Sequence, residues 1–186
     1  SDTFSGGSSP SYEAPDDCEW HFVDDLKGYS GGISLTCHLT AINSNMEKTN
    51  FSVIPSKLTR KLRVICSEAL ALSRLEPSSF SSLTNLEELA SEGCRFEHFP
   101  ALAFEGLGRL RKLTIHTTRM HQLTTDTVVS TSPFAIGIDA FVGMPSLIHL
   151  DLSGISLRSI PPSELCHLPS LRHLDFCLLY TYDATD

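Results

Sequence analysis

One spacing dominates the chain: Leu86-Glu-Glu-Leu89-Ala-Ser91, Leu110-Arg-Lys-Leu113-Thr-Ile115, Leu147-Ile-His-Leu150-Asp-Leu152 and Leu171-Arg-His-Leu174-Asp-Phe176 repeat an LxxLxL frame. The frames start at 86, 110, 147 and 171, spacings of 24, 37 and 24 residues, and a weaker one is phased from Thr59 through Leu62 and Val64. A second set of apolar residues recurs at matching offsets: Phe80 and Leu83, Phe104 and Leu107, Phe141 and Met144, Leu165 and Leu168. A unit of this size has too little apolar surface to close a core of its own. It becomes stable only when neighbours stack and bury a shared one.

This is the leucine-rich repeat pattern. It predicts an α/β solenoid: a horseshoe fragment with a parallel sheet on its concave side and little helix. Each LxxLxL is a strand whose leucines point inward and whose intervening residues face solvent. The predicted organisation is a leader at 1–17, an amino-terminal cap at 18–58, four to five repeats at 59–180 and a tail at 181–186. In the cap, Ile33-Ser-Leu35-Thr-Cys37-His-Leu39 alternates as a half-exposed strand does, placed to pair with the edge of the solenoid. The long middle unit carries an insertion at 121–139, rich in Ser and Thr and without repeat phase, which reads as a loop.

Six cysteines in 186 residues, with Asn50-Phe51-Ser52 as an N-glycosylation sequon, indicate an oxidising, extracellular or cell-surface setting. Cys18 and Cys37 both precede the repeats, so a bridge between them is the natural lock of the cap, contributing about 3 kcal/mol. Cys66 sits just after the predicted strand of its unit and Cys94 one position later in the phase of the next; a bridge between them and a buried thiol at Cys94 both satisfy the pattern. Cys166 and Cys177 have no evident partners. No apolar run approaches the ~18 residues that a membrane helix requires. A net charge of -8 argues against nucleic acid as the main partner.

By repeat phase the solvent-facing strand positions are Lys61, Arg63 and Ile65; Glu88, Ala90 and Glu92; Lys112, Thr114 and His116; His149, Asp151 and Ser153; His173, Asp175 and Cys177. The charged and histidine members of this set are the candidate ligand-binding residues, against the alternative of a simply solvated sheet. His149 and His173 with Asp151 and Asp175 repeat because the units repeat, so neither metal nor cofactor is assigned to them. No nucleophile, base and orienter converge, and the chain does not read as an enzyme.

Tyr12-Glu-Ala-Pro-Asp-Asp-Cys18, Thr49-Asn-Phe-Ser-Val-Ile-Pro55, and Ser73-Arg-Leu-Glu76 followed by Ser79-Phe80 resemble the amino-terminal cap and first repeats of arthropod Toll receptors, specifically the long Toll group. The resemblance runs from Tyr12 to Phe176. It implies a single-pass receptor of innate immunity and development whose ectodomain binds a protein ligand of the cystine-knot cytokine type, or another cell-surface receptor. It also implies that Cys18 and Cys37 belong to the cap and that Asn50 carries glycan. The chain contains no TIR domain or membrane span, so it reads as a truncated ectodomain, attached to a membrane only through a missing carboxyl-terminal part. A secreted or matrix adhesion or decoy protein is the competing reading. Because the repeats stop near Phe176 without a polar cap, self-association through 165–180 is expected.

Overall fold

In the computed structural model the described residues are 17–23, 31–44, 48–117, 134–157 and 159–178. Seven strands form one sheet. An antiparallel hairpin of β1 (Cys18–Phe22) and β2 (Ile33–Leu39) leads into parallel strands β3 (Thr59–Cys66), β4 (Glu88–Glu92), β6 (Lys112–His116), β8 (His149–Leu157) and β9 (His173–Leu178). Strand β2 pairs parallel to β3, so the cap extends the sheet of the repeats without a break. A second, two-stranded parallel sheet joins β5 (His98–Phe99) to β7 (Ala135–Ile136). Helix is confined among the described residues to α1 (Pro162–Leu165) and one 3-10 turn at Phe51–Val53.

The repeat frame accounts for the core. Register sets Leu62, Leu89, Leu113, Leu150 and Leu174 side by side, and the first four are essentially inaccessible to solvent. Behind the sheet Phe51, Phe80, Phe104 and Phe141 form a file of rings, one per unit, with successive centroids 4.7, 6.2 and 6.3 Å apart. Phe51 brings the cap into that file, so cap and repeats share one core. Phe99 packs edge-on against Phe104 at 5.1 Å and against Phe134 at 4.7 Å.

Two disulfides bind the amino-terminal half. Cys18 is joined to Cys37 across the β1–β2 hairpin, and Cys66 to Cys94, linking two successive units. Cys66 is the last residue of β3, inside the strand. Cys166 and Cys177 are free and exposed. The loop expected over 121–139 does not hold at 134–136: 121–133 lies outside the described residues, but Ala135 and Ile136 pair with His98 and Phe99, and Phe134 bridges to Leu157. The chain re-enters the solenoid there because Phe134 has an aromatic partner waiting in Phe99.

The turns between strands are also periodic. Ser78, Leu102 and Asp139 occupy equivalent places in successive units and all have left-handed backbones, with φ of 59°, 59° and 62°. They are tied by a main-chain ladder: Ser78 N–H donates to the Leu102 carbonyl and Leu102 N–H to the Asp139 carbonyl, at 2.8 and 2.9 Å. Three units after the cap thus share turn geometry as well as strand geometry before the ladder reaches α1.

Ser91 breaks the apolar frame. It sits between Val64 and Ile115 in register, it is buried, and its hydroxyl has no hydrogen-bond partner. A buried, unpaired hydroxyl is destabilising by roughly 1 to 3 kcal/mol. The substitution Ser91→Ala is therefore expected to stabilise the chain by about 1 kcal/mol in chemical denaturation; a loss of stability would mean that this hydroxyl is satisfied in solution.

Candidate functional site

The open face of the sheet brings every solvent-facing candidate into three rows. Lys61, Glu88, Lys112, His149 and His173 lie side by side in the first, and Arg63, Ala90, Thr114, Asp151 and Asp175 in the second. Ile65, Glu92 and His116 begin the third, which then departs from the repeat phase: Gly154, not Ser153, stands opposite His116. A Cβ on Gly154 would lie 2.7 Å from the His116 Cα, so the irregularity in β8 needs a glycine at the point of closest approach. It leaves Ser153 free to turn back toward Asp151.

The charges on this face are matched between strands. Lys61 lies 3.6 Å from Glu88, and Arg63 Nε donates to Glu92 at 2.9 Å. Toward β9, histidines replace the cations: His116 Nε2 is 3.0 Å from Asp151 Oδ2 and His149 Nε2 is 2.7 Å from Asp175 Oδ2. The His149 and His173 rings are 5.6 Å apart. Among the described residues Lys112 and His173 form no ion pair. Exposed pairs of this kind add at most about 1 kcal/mol each, so their main effect is to hold side chains in register across the sheet. The face presents an ordered, nearly balanced charge pattern without an aromatic anchor.

The two histidine pairs differ in environment. The Asp151 side chain is only 19% exposed, whereas that of Asp175 is 57% exposed. Burial pushes the Asp151 carboxyl up. The hydroxyl and backbone N–H of Ser153 both donate to its Oδ1, at 2.6 and 3.0 Å, and His116 engages Oδ2; together they outweigh burial and hold the carboxyl below its ordinary range. Ser153, His116 and Asp151 do not make a catalytic triad. The Ser153 Oγ, 3.5 Å from His116, approaches the same Nε2 that meets Asp151, whereas a nucleophile and an orienting acid require opposite ring nitrogens.

A group that the sequence reading passed over lies on the opposite side of the solenoid, where Asp139, Glu164 and His167 place ligand-type atoms within 4.8 Å of one another. The turn ladder explains it. Where the next unit forms α1, no left-handed turn supplies a carbonyl for Asp139, and the Glu164 side chain takes that place. Its Oε1 accepts from Asp139 N–H at 2.7 Å and its Oε2 from Phe141 N–H at 3.2 Å. Glu164 is 2% exposed, and His167 meets Asp139 at 3.2 Å. The carboxylate is committed to the backbone, which accounts for its burial without a metal.

Two measurements follow from these geometries. Glu164→Ala strips two backbone N–H groups of their acceptor and is expected to destabilise the chain by about 2 to 4 kcal/mol in urea unfolding. For Asp151, a carboxyl-resolved NMR titration should find a midpoint below the ordinary value of about 3.9, moving upward in Ser153→Ala. A depressed carboxyl contributes stability that is complete above its unfolded value and disappears as pH falls through the folded one. A midpoint at or above the ordinary value would remove the Ser153 and His116 contacts from the account.

Comparison with known proteins agrees with this architecture. A family profile described as "Leucine rich repeat" matches residues 121–176. Drosophila melanogaster Toll-like receptor 7 is 30% identical over 169 residues, which cover 90% of this chain and 10% of that protein, so the chain spans about a tenth of the length of the curated relative it matches. Human 5T4 (Wnt-activated inhibitory factor 1, trophoblast glycoprotein) aligns over 80% of this chain and 62% of its own, at 21% identity and a TM-score of 0.45. With its phased strands, shared core and bridged cap, the chain is a leucine-rich repeat protein related to the Toll receptors.

Proposed function

We propose that this chain is a recognition module from the ectodomain of a receptor of the arthropod long Toll group, placed outside the cell and acting by binding rather than catalysis. The cap at 18–58 shields the amino-terminal end of the core, and the repeats at 59–180 offer the sheet face to a protein partner. That partner is a cystine-knot cytokine or a neighbouring cell-surface receptor.

The observation that carries this reading is the ordered open face. Lys61, Arg63, Glu88, Glu92, Lys112, His116, His149, Asp151, His173 and Asp175 stand in register on one rigid sheet, most of them pinned by a partner on the next strand. Preset side chains lose little freedom on docking, which favours binding. Two disulfides favour an oxidising compartment. Asn50 is exposed, and its Oδ1 accepts from both the N–H and the hydroxyl of Ser52, which leaves the amide nitrogen for an N-linked glycan.

Interferometry with the secreted chain tests the reading. A cystine-knot cytokine should bind, and His149→Ser combined with Asp175→Ser should weaken it by at least about tenfold, corresponding to about 1.4 kcal/mol. Binding that ignores these substitutions would move the contact off the sheet. Beads coated with the chain that clump while no cytokine binds would favour the matrix adhesion reading instead. Sedimentation of the same sample reads self-association through Phe176, which is 43% exposed on β9 beside half-buried Leu171 and Leu174.

A further inference from the structure

We propose that the flank of the solenoid just ahead of the strands binds a sulfated polysaccharide. Main-chain hydrogen bonds line up one residue per unit there: Glu87 N–H donates to the Arg60 carbonyl, Arg111 N–H to Glu87, Ile148 N–H to Arg111 and Arg172 N–H to Ile148, all between 2.7 and 2.9 Å. Arg109 lies beside this row, its guanidinium donating to Asn85 at 2.9 Å. Glu87, the acid of the row, is already engaged by Arg60 Nε at 2.9 Å. Arg109, Arg111 and Arg172 are exposed, and among the described residues none of them has an acidic partner.

These three arginines line a shallow groove of about 770 Å³ together with Ser146, Ser170 and Glu87, whose carboxylate is paired with Arg60. Arg111 and Arg172 immediately precede β6 and β9, which lie two steps apart in the sheet, so these two cations stand roughly 10 Å apart along the flank. A row of exposed guanidiniums suits a linear polyanion, because each planar fork grips an oxyanion through two N–H groups. The chain as a whole carries -8, but at physiological salt charges more than about 8 Å away are screened, and the local row dominates what a polyanion meets.

The groove itself narrows the choice of polyanion. Its apolar members are Ile148, Pro169 and Leu171, with no aromatic ring on which a nucleic-acid base would stack. It offers no deep apolar pocket for the anchor residue of an acidic protein segment. Selecting a sulfated polysaccharide, an extracellular polymer, rests on the compartment proposed above; the basic row does not.

The test uses the secreted 186-residue chain on immobilised heparin across about 50 to 300 mM sodium chloride. Binding should weaken steeply with salt. Arg109→Ser, Arg111→Ser and Arg172→Ser together should weaken it at least about tenfold at 150 mM and flatten the log-log salt slope by about 2 to 3. Lys61→Ser with Lys112→Ser, on the open face, should change neither. Arg172→Glu alone, an exposed single change, covers the case in which the triple variant folds poorly. Absence of heparin binding by the wild type, equal loss in the open-face variant, or equal competition by poly-glutamate or desulfated heparin would overturn the proposal. Cytokine binding by the same arginine variants separates the two readings: if heparin affinity falls while cytokine affinity stays, both stand, and loss of either wild-type interaction alone removes only the reading that predicted it.

Discussion

Each unit of this solenoid has an apolar face that it cannot cover, and burial against the next unit is the constraint on which everything else depends. Leu62, Leu89, Leu113 and Leu150 are dry because they are adjacent in register, not because any one loop wraps them. At roughly 1.5 to 3 kcal/mol for each large aliphatic side chain buried, the shared core outweighs any polar contact on the surface. The file of Phe51, Phe80, Phe104 and Phe141 performs the same task behind the sheet. Fixing the leucines in line also fixes the rows of residues between them, so the interaction face is a by-product of core packing.

Most of that was legible from spacing alone. The frame of leucines specifies which strand positions point inward, and the open-face residues follow as the alternate set. Three features escaped because they are not periodic. The β8 irregularity depends on Gly154 passing close to His116, and one glycine among several gives no signal in sequence. Phe134 to Ile136 belong to the solenoid because Phe99 receives them, a contact between residues far apart in the chain. Glu164 reads as an ordinary surface acid within α1; only the turn ladder shows that the backbone of the preceding unit requires an acceptor there.

Net charge gives little local guidance for a related reason. A net charge of -8 averages over faces, while a repeat protein distributes residues by their position within the unit. Three of the five residues in the row at the start of the strands are arginine, and within the strands Lys61, Glu88 and Lys112 alternate in sign across neighbouring units. The two surfaces therefore differ in character: most charges on the sheet are paired, whereas Arg109, Arg111 and Arg172 on the flank have no acidic partner among the described residues. Summing the charges of the chain conceals both facts.

The disulfides add a mechanical asymmetry. Their closed segments span 19 and 28 residues, and both lie between Cys18 and Cys94, in the cap and first two units. Under tension, chain held inside a covalent loop cannot lengthen, which withholds about 160 Å of contour from extension. The later units carry no such clamp among the described residues. A pulling force would peel the solenoid unit by unit from its carboxyl-terminal side and stall where the covalent loops begin, so the half nearest the cap would keep its shape under load while the other half acted as the compliant element.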